Sequence, residues 1–96
     1  MKNLSGYIIQ LKTKNELVKV VAEFVELDKK GWACCPFHNE KNPSFHIHSS
    51  GEYWKCFGCG RGGDVIKFVQ DIKSISFMDA LKYLADRANM NYPLNT

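Results

Sequence analysis

Cys35-Pro36-Phe37-His38 and, after an interval of seventeen residues, Cys56-Phe57-Gly58-Cys59 place four metal-type donors in two pairs, the members of each pair separated by two residues. Donors at that spacing turn inward on one tight loop, and two such loops supply the four ligands of a tetrahedral zinc ion. A single Cys-x-x-Cys would read equally as a redox motif; the matched second half-site favours metal. Two disulfides are the competing chemistry. They need an oxidising compartment, and the vicinal pair Cys34-Cys35 is badly placed to share bridges with Cys56 and Cys59 without strain. Cys35, His38, Cys56 and Cys59 are therefore expected to hold one Zn2+, with Cys34 outside the set. Four protein donors close the coordination shell, so the ion is expected to be structural. Glu40, Glu52, Asp64, Asp71 and Asp79 are scattered rather than gathered as two-metal nucleotidyl transfer requires, and no catalytic residue is expected in the chain.

The elements that must position these donors follow from periodicity. Leu4, Tyr7, Ile8 and Leu11 predict a short first helix, interrupted by Thr13-Lys14-Asn15. Asn15 is the expected N-cap of a second helix over 16–24, with Leu17, Val20, Val21 and Phe24 on its inner face. Val25-Glu26-Leu27 and Trp32-Ala33-Cys34 alternate as strands about a turn at Asp28-Lys29-Lys30-Gly31, a hairpin leading into the first donor pair. Ser44 to His48 and Tyr53 to Lys55 form a second hairpin that delivers the chain to Cys56. Phe45 and Ile47 share one face there, and His46 and His48 the other, where both read as exposed strand residues and not as ligands. Gly60-Arg61-Gly62-Gly63 is expected to turn the chain sharply before Asp64 caps a helix carrying Val65, Phe68, Val69 and Ile72. Ser76 to Asp79 opens a last helix in capping-box style, with Phe77, Leu81, Leu84 and Ala88 facing inward. The fold class is α+β: a zinc ribbon with a small antiparallel sheet and flanking helices. It occupies residues 1–90, and 91–96, with Pro93, reads as a tail or the start of a linker.

The order of these motifs, Cys-Pro-Phe-His-Asn-Glu-Lys-Asn-Pro-Ser-Phe, then Cys-Phe-Gly-Cys-Gly, then a glycine-rich turn, resembles the zinc-binding domain at the amino end of bacterial DnaG-type DNA primases. The resemblance covers residues 14–89. Asn42 stands where that family usually has threonine, Cys34 where it usually has an apolar residue, and the segment from Lys30 to Cys34 is shorter than in the family. The resemblance implies a module that engages single-stranded DNA template and assists initiation of an RNA primer during replication. A separate catalytic domain, in cis or in trans, would make the RNA. It further implies a replicative helicase as a partner met through the rest of a primase.

Composition sets bounds without deciding between these uses. With 45% hydrophobic and 24% charged residues, the 96-residue chain has the make-up of one globular domain, small enough that a metal crosslink matters to its stability. No stretch approaches a membrane span, and the apolar start is too short and interrupted for a signal peptide, so a cytoplasmic location and no membrane partner are expected. Thirteen basic against ten acidic residues give a net charge of +3, a mild bias that a solvated surface explains as readily as nucleic acid does. Lys30, Lys41, Lys55 and Arg61 are expected to converge near the metal end of the sheet as phosphate contacts, with Trp54 and Phe57 as stacking surfaces. Trp32 is a further aromatic in the segment that departs from the family. Phe57 reads equally as a core residue packed over the metal. The alternative function is a free-standing primase-like zinc ribbon, for example from a mobile element, used for protein contacts. Binding of single-stranded DNA separates the two.

Overall fold

Asp28 decides how the chain enters its sheet. Its side chain accepts the backbone N–H groups of Lys30 and Trp32 at 2.8 and 2.9 Å, and its own N–H donates to the Trp32 carbonyl. The backbone groups that a hairpin ladder would have used are spent inside the turn, so the strand expected over Val25 to Leu27 does not form. In the computed structural model, which describes residues 4–38 and 42–92, the elements are α1 (Leu4–Lys14), α2 (Leu17–Ala22), β1 (Trp32–Ala33), β2 (Phe45–Ile47), β3 (Trp54–Cys56), β4 (Gly62–Gly63), α3 (Val65–Lys73) and α4 (Phe77–Arg87).

The four strands form one antiparallel sheet in the order β1-β2-β3-β4, with β1 pairing β2 directly. Trp32 lies opposite His46, His46 opposite Lys55, and Lys55 opposite Gly62; the alternate row is Ala33, Phe45 and Cys56, with Ile47 and Trp54 paired beside it. Because side chains alternate across a strand, the register assigns the two faces. Ala33, Phe45, Ile47, Trp54 and Cys56 are buried, while Lys55 and Gly62 are exposed and Trp32 and His46 half-buried. The glycine run, expected as a turn, is the edge strand β4. A Cβ at Gly62 would stand 2.9 Å from the Trp54 carbonyl oxygen, so the close pairing with β3 requires glycine.

Helices cover the buried face. Phe68 of α3 meets the rings of Phe45 and Trp54 edge-on at 5.9 Å each, those two stack at 5.3 Å, and Phe37 joins the cluster. The Trp54 indole N–H donates to the Asp64 carbonyl at 2.9 Å, which satisfies its one polar atom inside the core. Asp64 caps α3 by accepting from Lys67 N–H, and Ser76 caps α4 by accepting from Asp79 N–H. α4 buries Ala80, Leu81, Leu84 and Ala85; Phe77, expected inward, is 40% exposed, since it sits at the first turn beyond the reach of the core.

Asn15 corrects another expectation. It caps nothing: α1 runs on to Lys14, and Asn15 is wholly buried, donating through Nδ2 to the carbonyls of Leu11 and Leu84 and accepting from Arg87. Arg87 also pairs with Glu23, so one polar knot ties α1, α4 and the end of α2. α2 is correspondingly shorter than expected, and Phe24 lies beyond it, at the surface but edge-on to Phe68. Among the described residues no helix is long and apolar enough to cross a membrane.

Candidate metal centre

The two half-sites sit at the same end of the sheet because of where the strands stop. Cys35 follows β1 and His38 closes the turn after it, whereas Cys56 ends β3 and Cys59 lies in the turn that leads to β4. That second turn is held by Gly60, whose N–H donates to the Cys56 carbonyl at 2.8 Å and whose φ of 84° is one that glycine adopts without strain. The ligand atoms of Cys35, His38, Cys56 and Cys59 all lie within 4.8 Å of one another. A tetrahedron with metal–sulfur bonds of about 2.3 Å has edges of about 3.8 Å, so the cluster needs only a small contraction to enclose zinc. Three thiols and one imidazole are a zinc donor set, and among the described residues they form a single site for that metal. Cys34 is exposed and outside the cluster.

The thiols are prepared unequally. Burial raises the Cys56 thiol, but His38 Nε2 at 3.4 Å, the Ser44 hydroxyl at 3.6 Å, the Cys59 N–H at 3.4 Å and the Cys35 thiol outweigh it and bring the group down to about 6. Cys35 is pushed up to about 12, by burial first and by the neighbouring Cys56 and Cys59 sulfurs, against the pull of the Phe37 N–H. Cys56 thus offers a thiolate more readily than Cys35, from which metal capture must expel the proton.

Around this centre the other expected site residues separate. Trp54 is 1% exposed in the aromatic core and presents no stacking surface; the tryptophan on the open face is Trp32, two strands away on β1. Trp32 stacks on the His46 ring at 4.2 Å, and Phe57, 63% exposed, lies 5.9 Å from Trp32, so it belongs to the open face and not to the core. Lys30 and Lys55 are exposed beside this group. Arg61 is exposed too, but its guanidinium sits 5.2 Å from the Phe37 centroid, on the metal side. Lys41 lies outside the described residues. Trp32 and His46, expected as a further aromatic and an exposed strand residue, are half-buried against each other, a contact set by the cross-strand register, which no local pattern encodes.

The CHC2 zinc-finger family, the zinc ribbon of DnaG, matches residues 4–96. A DNA primase of Thermotoga maritima is 47% identical over 90 residues, covering 91% of this chain and 16% of that protein. A DNA primase of Staphylococcus aureus is 44% identical over 86 residues, covering 86% of the chain and 14% of its own length. Among solved structures, that of the Aquifex aeolicus primase, comprising zinc-binding and RNA polymerase domains, superposes with a TM-score of 0.82 at 38% identity, covering 95% of this chain and 23% of that one. The chain therefore spans less than a quarter of each of these relatives.

Proposed function

The chain belongs to the CHC2 zinc-finger family of DnaG-type primases, and we propose that it is the module with which such a primase holds single-stranded template while a separate catalytic domain starts the primer. One observation carries the reading: the face of the sheet turned away from the helices bears the Trp32–His46 stack, the exposed Phe57 ring and Lys55 together. Unpaired bases stack on aromatic rings whatever their sequence, at about 1–3 kcal/mol per base, and flanking lysines meet the phosphates. Lys30, Lys41 and Arg61 belong to the same reading as phosphate contacts.

The zinc, closed in by four protein donors, orders the sheet and supplies no chemistry to a substrate. Three of the described carboxylates are engaged within the fold: Asp28 in its turn, Asp64 with Lys12 and the α3 cap, Asp71 with Lys67. Primer synthesis therefore falls to the RNA polymerase domain that the Aquifex relative's description names, and a replicative helicase would be met through the rest of such a protein. Tethering the module to that domain raises its effective concentration on template without a new contact.

A second reading, a ribbon used for protein contacts, draws on the exposed Ile9 and Val18 beside a groove of about 540 Å³ between α1, α2 and the turn at Gly51. Titrating the zinc-loaded chain with short single-stranded DNA at low salt decides between them. Binding is expected to be micromolar or weaker, with a log–log salt slope of about −2 for three neutralised phosphates. Trp32→Ala should weaken it about tenfold or more. NMR shifts confined to the helices, or affinity untouched by Trp32→Ala and Lys55→Ala, would overturn the template reading and favour protein contacts.

A further inference from the structure

His46 sits in the middle strand of the open face, yet its ring is not free to turn. Nε2 lies 3.0 Å from the Lys30 carbonyl oxygen. A carbonyl only accepts, so Nε2 carries the hydrogen in every protonation state of the ring, and Nδ1 is the atom at which a proton is gained or lost. Among the described residues Nδ1 has no hydrogen-bond partner. The ring plane is fixed a second time by the Trp32 indole, stacked at 4.2 Å and 29°.

The groups facing His46 are these. Lys55 lies opposite on β3, in register. Lys30 lends its carbonyl from the turn before β1, and Asp28 in that turn has its carboxylate bound by the N–H groups of Lys30 and Trp32. Cys34 is exposed just beyond β1, and His48, two residues along, is stacked on Tyr53 and bonded to Ser50. The helices lie across the sheet, on the other face. A protonated His46 thus has lysines as neighbours, and the Asp28 carboxylate of the adjoining turn has its Oδ1 taken by the Lys30 and Trp32 N–H groups, so an external anion suits it as counter-ion.

Resting on the template-binding reading, we propose that His46 is a nucleic-acid contact of this face: protonated at Nδ1, it holds a backbone phosphate of the single strand beside the Trp32 ring, so that binding takes up a proton and tightens in mild acid. A phosphate meeting Lys55 and His46 together favours the charged ring, and by linkage the charged ring favours the phosphate.

The test is a titration of a short fluorescent single-stranded oligonucleotide with the zinc-loaded chain at about pH 5.5 and about pH 8, the range across which an imidazole changes charge, with zinc content measured at both. Wild-type protein should bind about three- to fivefold more tightly at the lower pH, the gain of one exposed ionic contact, and the magnitude of its salt slope should rise by about 0.7. H46Q, whose amide can still donate to the Lys30 carbonyl but gains no charge, should bind with the same affinity and the same salt slope at both pH values, whatever the loss of the ring stacked on Trp32 costs at each. H48Q should behave as wild type. If H46Q retains the pH dependence, or H48Q abolishes it, the assignment of His46 is wrong although the strand still binds. If the zinc-loaded wild type binds no single strand at either pH, the template reading itself fails and takes this one with it.

Discussion

Cys34 and Cys35 are neighbours with opposite roles: Cys35 is buried against the other three donors, and Cys34 faces solvent. Cys34→Ser should therefore leave one zinc per chain and Cys56→Ser should abolish it, as native mass spectrometry would show; the reverse pattern would redraw the donor set. This much was legible from spacing alone, because a two-residue loop fixes its own geometry wherever it lies in the fold. Trp54 and Trp32 were not legible in the same way. Which of two strand aromatics faces water depends on pairing register, and a slip of one residue exchanges the faces. The local alternation at Phe45, His46 and Ile47 was correct, but it carried no information about which tryptophan the His46 row would meet.

Asp64 shows how one side chain serves two elements. It caps α3 through Lys67 N–H and pairs with Lys12 of α1 at 2.8 Å. Burial pushes its carboxyl up, but Lys12 and the N–H groups of Lys67 and Ile66 outweigh that and hold it below the ordinary aspartate value. A depressed folded value means that the unfolded chain takes up protons first as pH falls. The stabilisation is therefore fully present above about pH 4 and disappears as pH drops through the folded value. Asp64→Asn keeps an acceptor for the cap but cannot ionise, so the stability gap between wild type and variant, measured by urea unfolding, should narrow below about pH 4 and stay constant above it. The caps at Asp64 and Ser76 were readable because an acceptor followed by an apolar period is a local signal. Asn15 and the missing strand at Val25 to Leu27 were not: a residue with cap chemistry was drawn into a contact with Leu84, far along the chain, and Asp28 satisfied locally the groups a strand would have shared.

At the scale of the molecule, strands of two and three residues cannot stand by themselves. Structural zinc contributes about 10–16 kcal/mol in small zinc modules, as much as or more than the about 5–15 kcal/mol of net stability usual for a domain. Chelation is accordingly expected to unfold the sheet and release Trp54 to solvent, seen as a red shift of tryptophan emission with loss of amide protection in β2 and β3. Unchanged protection after complete zinc removal would mean that the aromatic core is sufficient. The position of the metal also has a mechanical consequence. The far ends of the described chain meet each other, Tyr7 bonding to the Asn91 carbonyl and Asn15 to that of Leu84. A pull on the two ends would peel α1 from α4 first and then load the segment between Cys35 and Cys59 through metal–ligand bonds, not through the sheet. That segment, about 80 Å of extended chain, stays hidden from the force until a zinc–sulfur bond breaks, so the domain yields in two steps of length, the second of them governed by the metal.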